Sequence, residues 1–412
     1  MSRRTPPVRK LLVIVQLGVL FACTPDHGEG ALDGASSSDS VSSSDSVSSS
    51  AVGTGGSASV SVGTGGSSSS AGGGACSPSA LDELEAEIAL LVDKQASDAS
   101  VNSVADLTLM LERDDGRTFV HSHGLSTPTT LYESASTSKW VTAAVMLELV
   151  DQGKLDLTTT VASRLPVIWK ESSVTLEHLL SFRSGFAKEP PCLNLANASF
   201  SSCVASVYSL NEADAPAPGT QFLYASTHLQ VSGLMAVNSV LGASSWGEVF
   251  SAFQAKTGLF SNSVYDLPSG ENPRLAGGMH WTAEDYQGFL RALYRGKLLT
   301  DASRQTMFDN HRGSATVAFS PVLEQLDEDW AYGLGNWLEC AEAKGGTPFN
   351  CGVGKRNSSP GAYGAYPFID FERHYFGILA RQGPVGTFHE GVATFRAVEG
   401  LVAKWAADDC SP

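Results

Sequence analysis

Residues 24–75 constrain this chain most, because they cannot fold. They hold 18 of its 54 serines, many glycines and no aromatic residue. A segment so poor in apolar side chains cannot bury enough surface to offset the entropy of ordering its backbone. It also repeats itself. Ser-Ser-Ser-Asp-Ser-Val stands at 36–41 and again at 42–47, and Val-Gly-Thr-Gly-Gly-Ser at 52–57 and again at 62–67. Such repeats read as flexible linker. Folding is left to residues 76–412, which carry all 7 Trp and all 10 Tyr of the chain. That length suits one large domain with a sizeable core.

The residues before the linker read as an address. Arg3, Arg4, Arg9 and Lys10 precede an apolar run from Leu11 to Ala22 that only Gln16 and Gly18 interrupt. This predicts a secretory signal over 1–22, too short to span a bilayer comfortably. It ends in Leu20-Phe21-Ala22-Cys23, which resembles the bacterial lipobox, where cleavage before the cysteine is followed by its lipidation. The expectation is a lipid on Cys23 and a tether over 23–75, holding residues 76–412 at a membrane in the periplasm or at the cell surface. The alternative is an ordinary secretory signal that happens to end at a cysteine.

With Cys23 set aside, six cysteines remain in an exported chain, which predicts three disulfides. Cys192 and Cys203 are close in sequence, as are Cys340 and Cys351, and Cys76 and Cys410 bracket the domain. No Cys-x-x-Cys and no matching histidine spacing occurs, so neither a metal site nor another cofactor is expected. The net charge of −16 repels phosphate backbones and disfavours nucleic acid as a partner.

Apolar spacing at 81, 84, 88, 91 and 92 predicts a helix. Val104–Leu111 and Thr118–Val120 read as a hairpin turning at Arg113–Gly116, and Tyr366–Asp370 with His374–Leu379 as another. Ser136–Val150 reads as a helix apolar on most faces, hence buried. Residues 155–300 are mainly helix and loop, Tyr332–Trp337 is extended, and Thr394–Ala406 is a closing helix. Strands at both ends with helices between them predict an α+β fold: an antiparallel sheet flanked by terminal helices, with a helical lobe inserted.

Ser136-Thr137-Ser138-Lys139 is the chain's one Ser-x-x-Lys. Residues i and i+3 share a helix face, so the lysine amine can stand over the serine hydroxyl one turn back. A desolvated lysine can approach neutrality and accept the hydroxyl proton. No Gly-x-Ser-x-Gly or His-Glu-x-x-His competes with it.

This segment resembles the first motif of the β-lactamase-related serine hydrolases, the superfamily of class C β-lactamases, D-alanyl-D-alanine carboxypeptidases and related esterases. Further matches follow in order: Leu179–Gly185, then Pro218–Ser226 with Tyr224 in the second motif, Ala276–Gly278 with Thr282–Tyr286, Tyr332–Gly335, and Ser359–Gly364 at the third motif. The resemblance implies a β-lactamase/transpeptidase-like fold and an acyl-enzyme acting on a small-molecule or peptide ester or amide. It makes Ser136 the nucleophile, Lys139 its base and Tyr224 a proton relay whose phenolate a nearby lysine would stabilise. The oxyanion hole would be the N–H groups of Ser136 and Ala362, with Gly361 letting substrate approach its strand. Two positions depart from the family. Ser226 stands where Asn is usual and Ser359 where Lys or His is usual, which removes a cation that helps hold carboxylate substrates. Arg381 is a candidate replacement; Arg183 and His280 read as structural. The alternative function is an inactive surface binding module of the same fold. Substrate and oligomeric state are not legible.

Overall fold

The computed structural model describes residues 76–339 and 356–410. The expected signal, Cys23, the linker and the Cys340–Cys351 pair lie outside them.

Among the described residues seven strands form the main sheet: β1 (Leu107–Arg113), β2 (Thr118–His123), β3 (Ala331–Tyr332), β4 (Trp337–Leu338), β5 (Arg356–Ser358), β6 (Tyr366–Asp370) and β7 (Tyr375–Arg381). Their order is β2-β1-β7-β6-β5-β4-β3, and every pairing is antiparallel. The first and last parts of the domain therefore meet at its centre, where Leu109 pairs with Leu379.

Strand alternation decides which helix covers which face. On β1, Leu107, Leu109 and Leu111 point one way. Leu111 pairs with Phe119, whose ring packs edge-on against Trp405 of α5 (Phe388–Ala407). Helix α1 (Pro78–Ser97) lies beside α5. Its N-cap Ser77 accepts the N–H of Ala80, Pro78 opens it, and Leu81, Leu84, Ile88 and Val92 form its buried stripe. Glu112 points the other way and pairs with Arg291 and Arg295 at the end of α4 (Ala283–Tyr294). The terminal helices thus cover one face and α4 the other.

Helix α2 (Ser138–Asp151) is apolar on most faces and buried from Ser138 to Leu149, as a helix in the middle of a lobe must be. Helix α3 (Thr227–Val237), equally buried, packs on it. Among the described residues two disulfides are present, Cys76–Cys410 and Cys192–Cys203.

Two details differ from the sequence reading. Tyr332–Trp337 is a tight hairpin of two-residue strands. It turns at Gly335 (φ 76°), where a Cβ would lie 2.6 Å from the Lys139 carbonyl, so glycine lets the turn rest on α2. Short strands also occur where helix and loop were expected, at Gln221–Leu223, Val264–Tyr265 and Met279–Thr282.

Candidate active site

Ser136 sits in a 3-10 turn, Ala135–Thr137, that feeds α2. The turn is clamped from several sides. Ser134 Oγ accepts the N–H of Met279 (3.0 Å), Trp281 Nε1 donates to Thr137 Oγ1 (2.8 Å), and the Tyr286 hydroxyl donates to the Thr137 carbonyl (2.9 Å). These contacts over-determine the backbone enough to hold Ala135 at φ 43°, which a residue with a Cβ rarely adopts.

One turn on, Lys139 is 4 % exposed. Its Nζ lies 2.8 Å from Ser136 Oγ and 2.8 Å from the Ala276 carbonyl. Burial brings the amine down to about 7, with Glu189 opposing the shift and Arg274 adding to it. Near neutral pH a large fraction is therefore unprotonated and able to accept the Ser136 proton.

Tyr224 leaves the short strand Gln221–Leu223. Its ring stacks on Trp337 (5.0 Å), and Lys139 Nζ stands 4.6 Å over its face. Burial pushes the phenol well above its ordinary value, with the Ser136 hydroxyl partly opposing. This corrects the expected phenolate. The lysine meets the ring face, a cation–π contact, and the phenol stays protonated, fit to donate. Below it, buried His228 accepts from Ser184 at Nδ1 (2.7 Å) and donates from Nε2 to the Leu223 carbonyl (2.9 Å). Burial lowers His228 to about 4, so its ring is a neutral brace.

The third motif lies against the same turn. Ser359 is 1 % exposed, and its hydroxyl donates to the Ser136 carbonyl (3.1 Å). It faces the nucleophile's own backbone instead of an open subsite. Gly361 corrects a second expectation. A Cβ there would meet the Ser134 carbonyl at 2.7 Å and Thr137 Cγ2 at 3.0 Å. The glycine serves packing of the 359–364 segment on the Ser136 turn, with no need to invoke substrate. The carbonyl of Ala362 accepts from Gly386 and Thr387 (2.8 and 2.9 Å), while its N–H has no acceptor among the described residues. Ser136 is in the first turn of its helix, where N–H groups lack helical partners. Ser136 and Ala362, the two residues expected to supply the oxyanion donors, both line one cavity.

Ser226, at the start of α3, is half-buried, and its N–H donates to the carboxylate of Glu189. Arg381 cannot replace the missing cation. It is fully buried and bound to Glu390 (2.6 Å). The arginine whose charge does reach the site is Arg274, held by the Asn194 side chain and felt by both Lys139 and Tyr363. Arg183 pairs with Glu177 and His280 with Asp266. No cluster of metal-ligating side chains occurs among the described residues. Ser136, Tyr224, Trp337, Pro360 and Ala362, with Phe319 and Phe388, line a cavity of about 150 Å³. A larger depression of about 440 Å³ beside α4 holds no member of this group.

The family model for beta-lactamase matches residues 109–398. The chain belongs to the beta-lactamase family. Solved structures agree in fold. A Bacteroides dorei protein provisionally described as a beta-lactamase has TM-score 0.62 at 26% identity, over 78% of this chain and 98% of that one. EstCE1, a hydrolase with promiscuous acyltransferase activity, gives 0.62 at 17%, over 79% and 99%. A D-amino acid amidase from Ochrobactrum anthropi SV3 gives 0.60 at 18%, over 77% and 98%. Beta-lactamase-fold proteins are in general serine hydrolases. Within this family, sequence reasoning did not find Glu189, Arg274, Trp337 or the Ala276 carbonyl.

Proposed function

We propose that this protein hydrolyses an ester or amide through an acyl-enzyme on Ser136. The observation that carries the reading is Lys139 Nζ at 2.8 Å from Ser136 Oγ, in surroundings that bring the amine down to about 7. Neutral Lys139 takes the hydroxyl proton as Oγ attacks the acyl carbon. The Ser136 and Ala362 N–H groups receive the developing oxyanion, and Tyr224 passes a proton to the leaving group. Water then attacks the acyl-enzyme with the same groups acting in reverse. A fluorophosphonate probe tests this, because an activated serine displaces fluoride and stays phosphonylated. Labelling of Ser136, lost in Ser136→Ala, supports hydrolysis. An unlabelled Ser136 in folded protein favours an inactive binding module.

We also propose export and a lipid on Cys23, which the sequence of 1–75 motivates and the Cys76–Cys410 and Cys192–Cys203 disulfides favour, since such bonds persist in oxidising compartments. A mature N-terminus other than Cys23 overturns the lipid.

A further inference from the structure

Glu189 belongs to the loop between Phe186 and the helix Phe200–Asn211. The loop is firmly held. Cys192 is bonded to Cys203, and buried Asn272 donates to the carbonyls of Cys192 (2.8 Å) and Leu195 (3.1 Å). Ser269 Oγ donates to the Ala196 carbonyl (2.8 Å). From this fixed loop one carboxylate oxygen of Glu189 accepts the N–H of Ser226, two residues beyond Tyr224. The residue is exposed, and among the described residues it forms no salt bridge. Its charge nonetheless reaches Lys139. A carboxylate anchored on the backbone just beyond Tyr224, with its charge reaching Lys139, thus stands beside the second-motif position where the resembling family presents a neutral amide. A carboxylate accepts hydrogen bonds only. It will repel an acyl group bearing negative charge and hold one bearing an ammonium. The chain's net charge of −16 likewise attracts cationic ligands and repels anionic ones.

We propose that Glu189 is a specificity-determining residue that binds a protonated amine on the acyl part of the substrate, so that the preferred substrates are aminoacyl esters or amides. This rests on the hydrolase reading above. It is tested with a matched pair differing only in the amine, phenylalanine methyl ester (both enantiomers) and methyl 3-phenylpropanoate, followed by acid release on the full exported chain. A charge-assisted hydrogen bond of ordinary strength predicts that one enantiomer of the amine ester exceeds its deaminated partner in kcat/KM by about ten- to a hundredfold. In Glu189→Gln the ratio falls to about one, and Glu189→Asp keeps part of it. Taking the ratio cancels any effect of the charge on Lys139. Equal rates for the two esters, or a preference that survives Glu189→Gln, overturns the proposal. Binding separates it from the hydrolase reading. Calorimetry on Ser136→Ala protein with phenylalanine amide and 3-phenylpropanamide needs no turnover. An amine-dependent affinity that Glu189→Gln removes supports the site even if the fluorophosphonate fails to label. Its absence overturns the site even if labelling succeeds.

Discussion

Two serines stand where the resembling family carries larger polar groups, and the structure uses them oppositely. Ser359, in place of a lysine or histidine, is sealed and spends its hydroxyl on the Ser136 carbonyl. Ser226, in place of an asparagine, stays half-open, and what matters there is its backbone N–H, which orients Glu189. One substitution turns a ligand-facing position into a brace for the nucleophile. At the other, the backbone holds a charge delivered from a separate loop. A shortened side chain in a motif therefore says little about lost function until its neighbours are known.

The comparison assumes that both walls serve Ser136, and the largest expected effect tests that. Ser136→Ala and Lys139→Ala should each lower kcat/KM by about 10³-fold or more, and the double variant should be scarcely worse, because members of one unit are not additive. Initial rates on a neutral ester decide it. Independent, multiplying losses would break the unit apart.

A pH profile comes next. Lys139 must be unprotonated to accept a proton, and burial brings it down to about 7. The rate kcat/KM should therefore level off above pH ~7 and fall about tenfold per unit below it. A flat profile between pH 5 and 8 would remove Lys139 from the role of base.

Gly361→Ala sharpens the third-motif side. Its Cβ would be driven against the Ser134 carbonyl at 2.7 Å, which should cost about 1–3 kcal/mol in urea unfolding. Ser359→Ala should cost about 0.5–1.5 kcal/mol and lower kcat more than it raises KM, since the lost bond positions Ser136. A change in KM alone would return Ser359 to substrate binding. The smallest effect is expected at the second motif. Ser226→Ala keeps the N–H that Glu189 uses and should change kcat/KM by less than about threefold.

The sheet ends were legible because their periods are long enough to read. Alternation over Leu107–Arg113 and the run Tyr375–Arg381 cover seven residues each. Strands such as Gln221–Leu223 and Val264–Tyr265 are too short to display a period, so they passed as loop. Ser136, Lys139 and Tyr224 were legible because they are side chains in ordered motifs. The Ala276 carbonyl on Lys139 and the Ser226 N–H under Glu189 are backbone groups, which no residue type announces. The ionisation of Tyr224 was misread because a motif shows neither the burial that raises the phenol nor the direction from which the lysine comes. Proximity to lysine was foreseeable from the motifs, but its approach to the ring face was not.

The Cys76–Cys410 bond joins the segment that leads into α1 to the one that leaves α5, with Cα atoms 5.4 Å apart and a sequence separation of 334. Mechanically this makes the domain a closed ring. Tension applied through the polypeptide at residue 75 enters at Cys76 and passes at once to the far end of α5. It cannot peel α1 away as a free strip. Both helices would have to be sheared from the sheet together. A domain dragged by its leading segment would therefore keep its shape until forces that break two packed helices at once, and reduction of one bond would convert it into something that unzips.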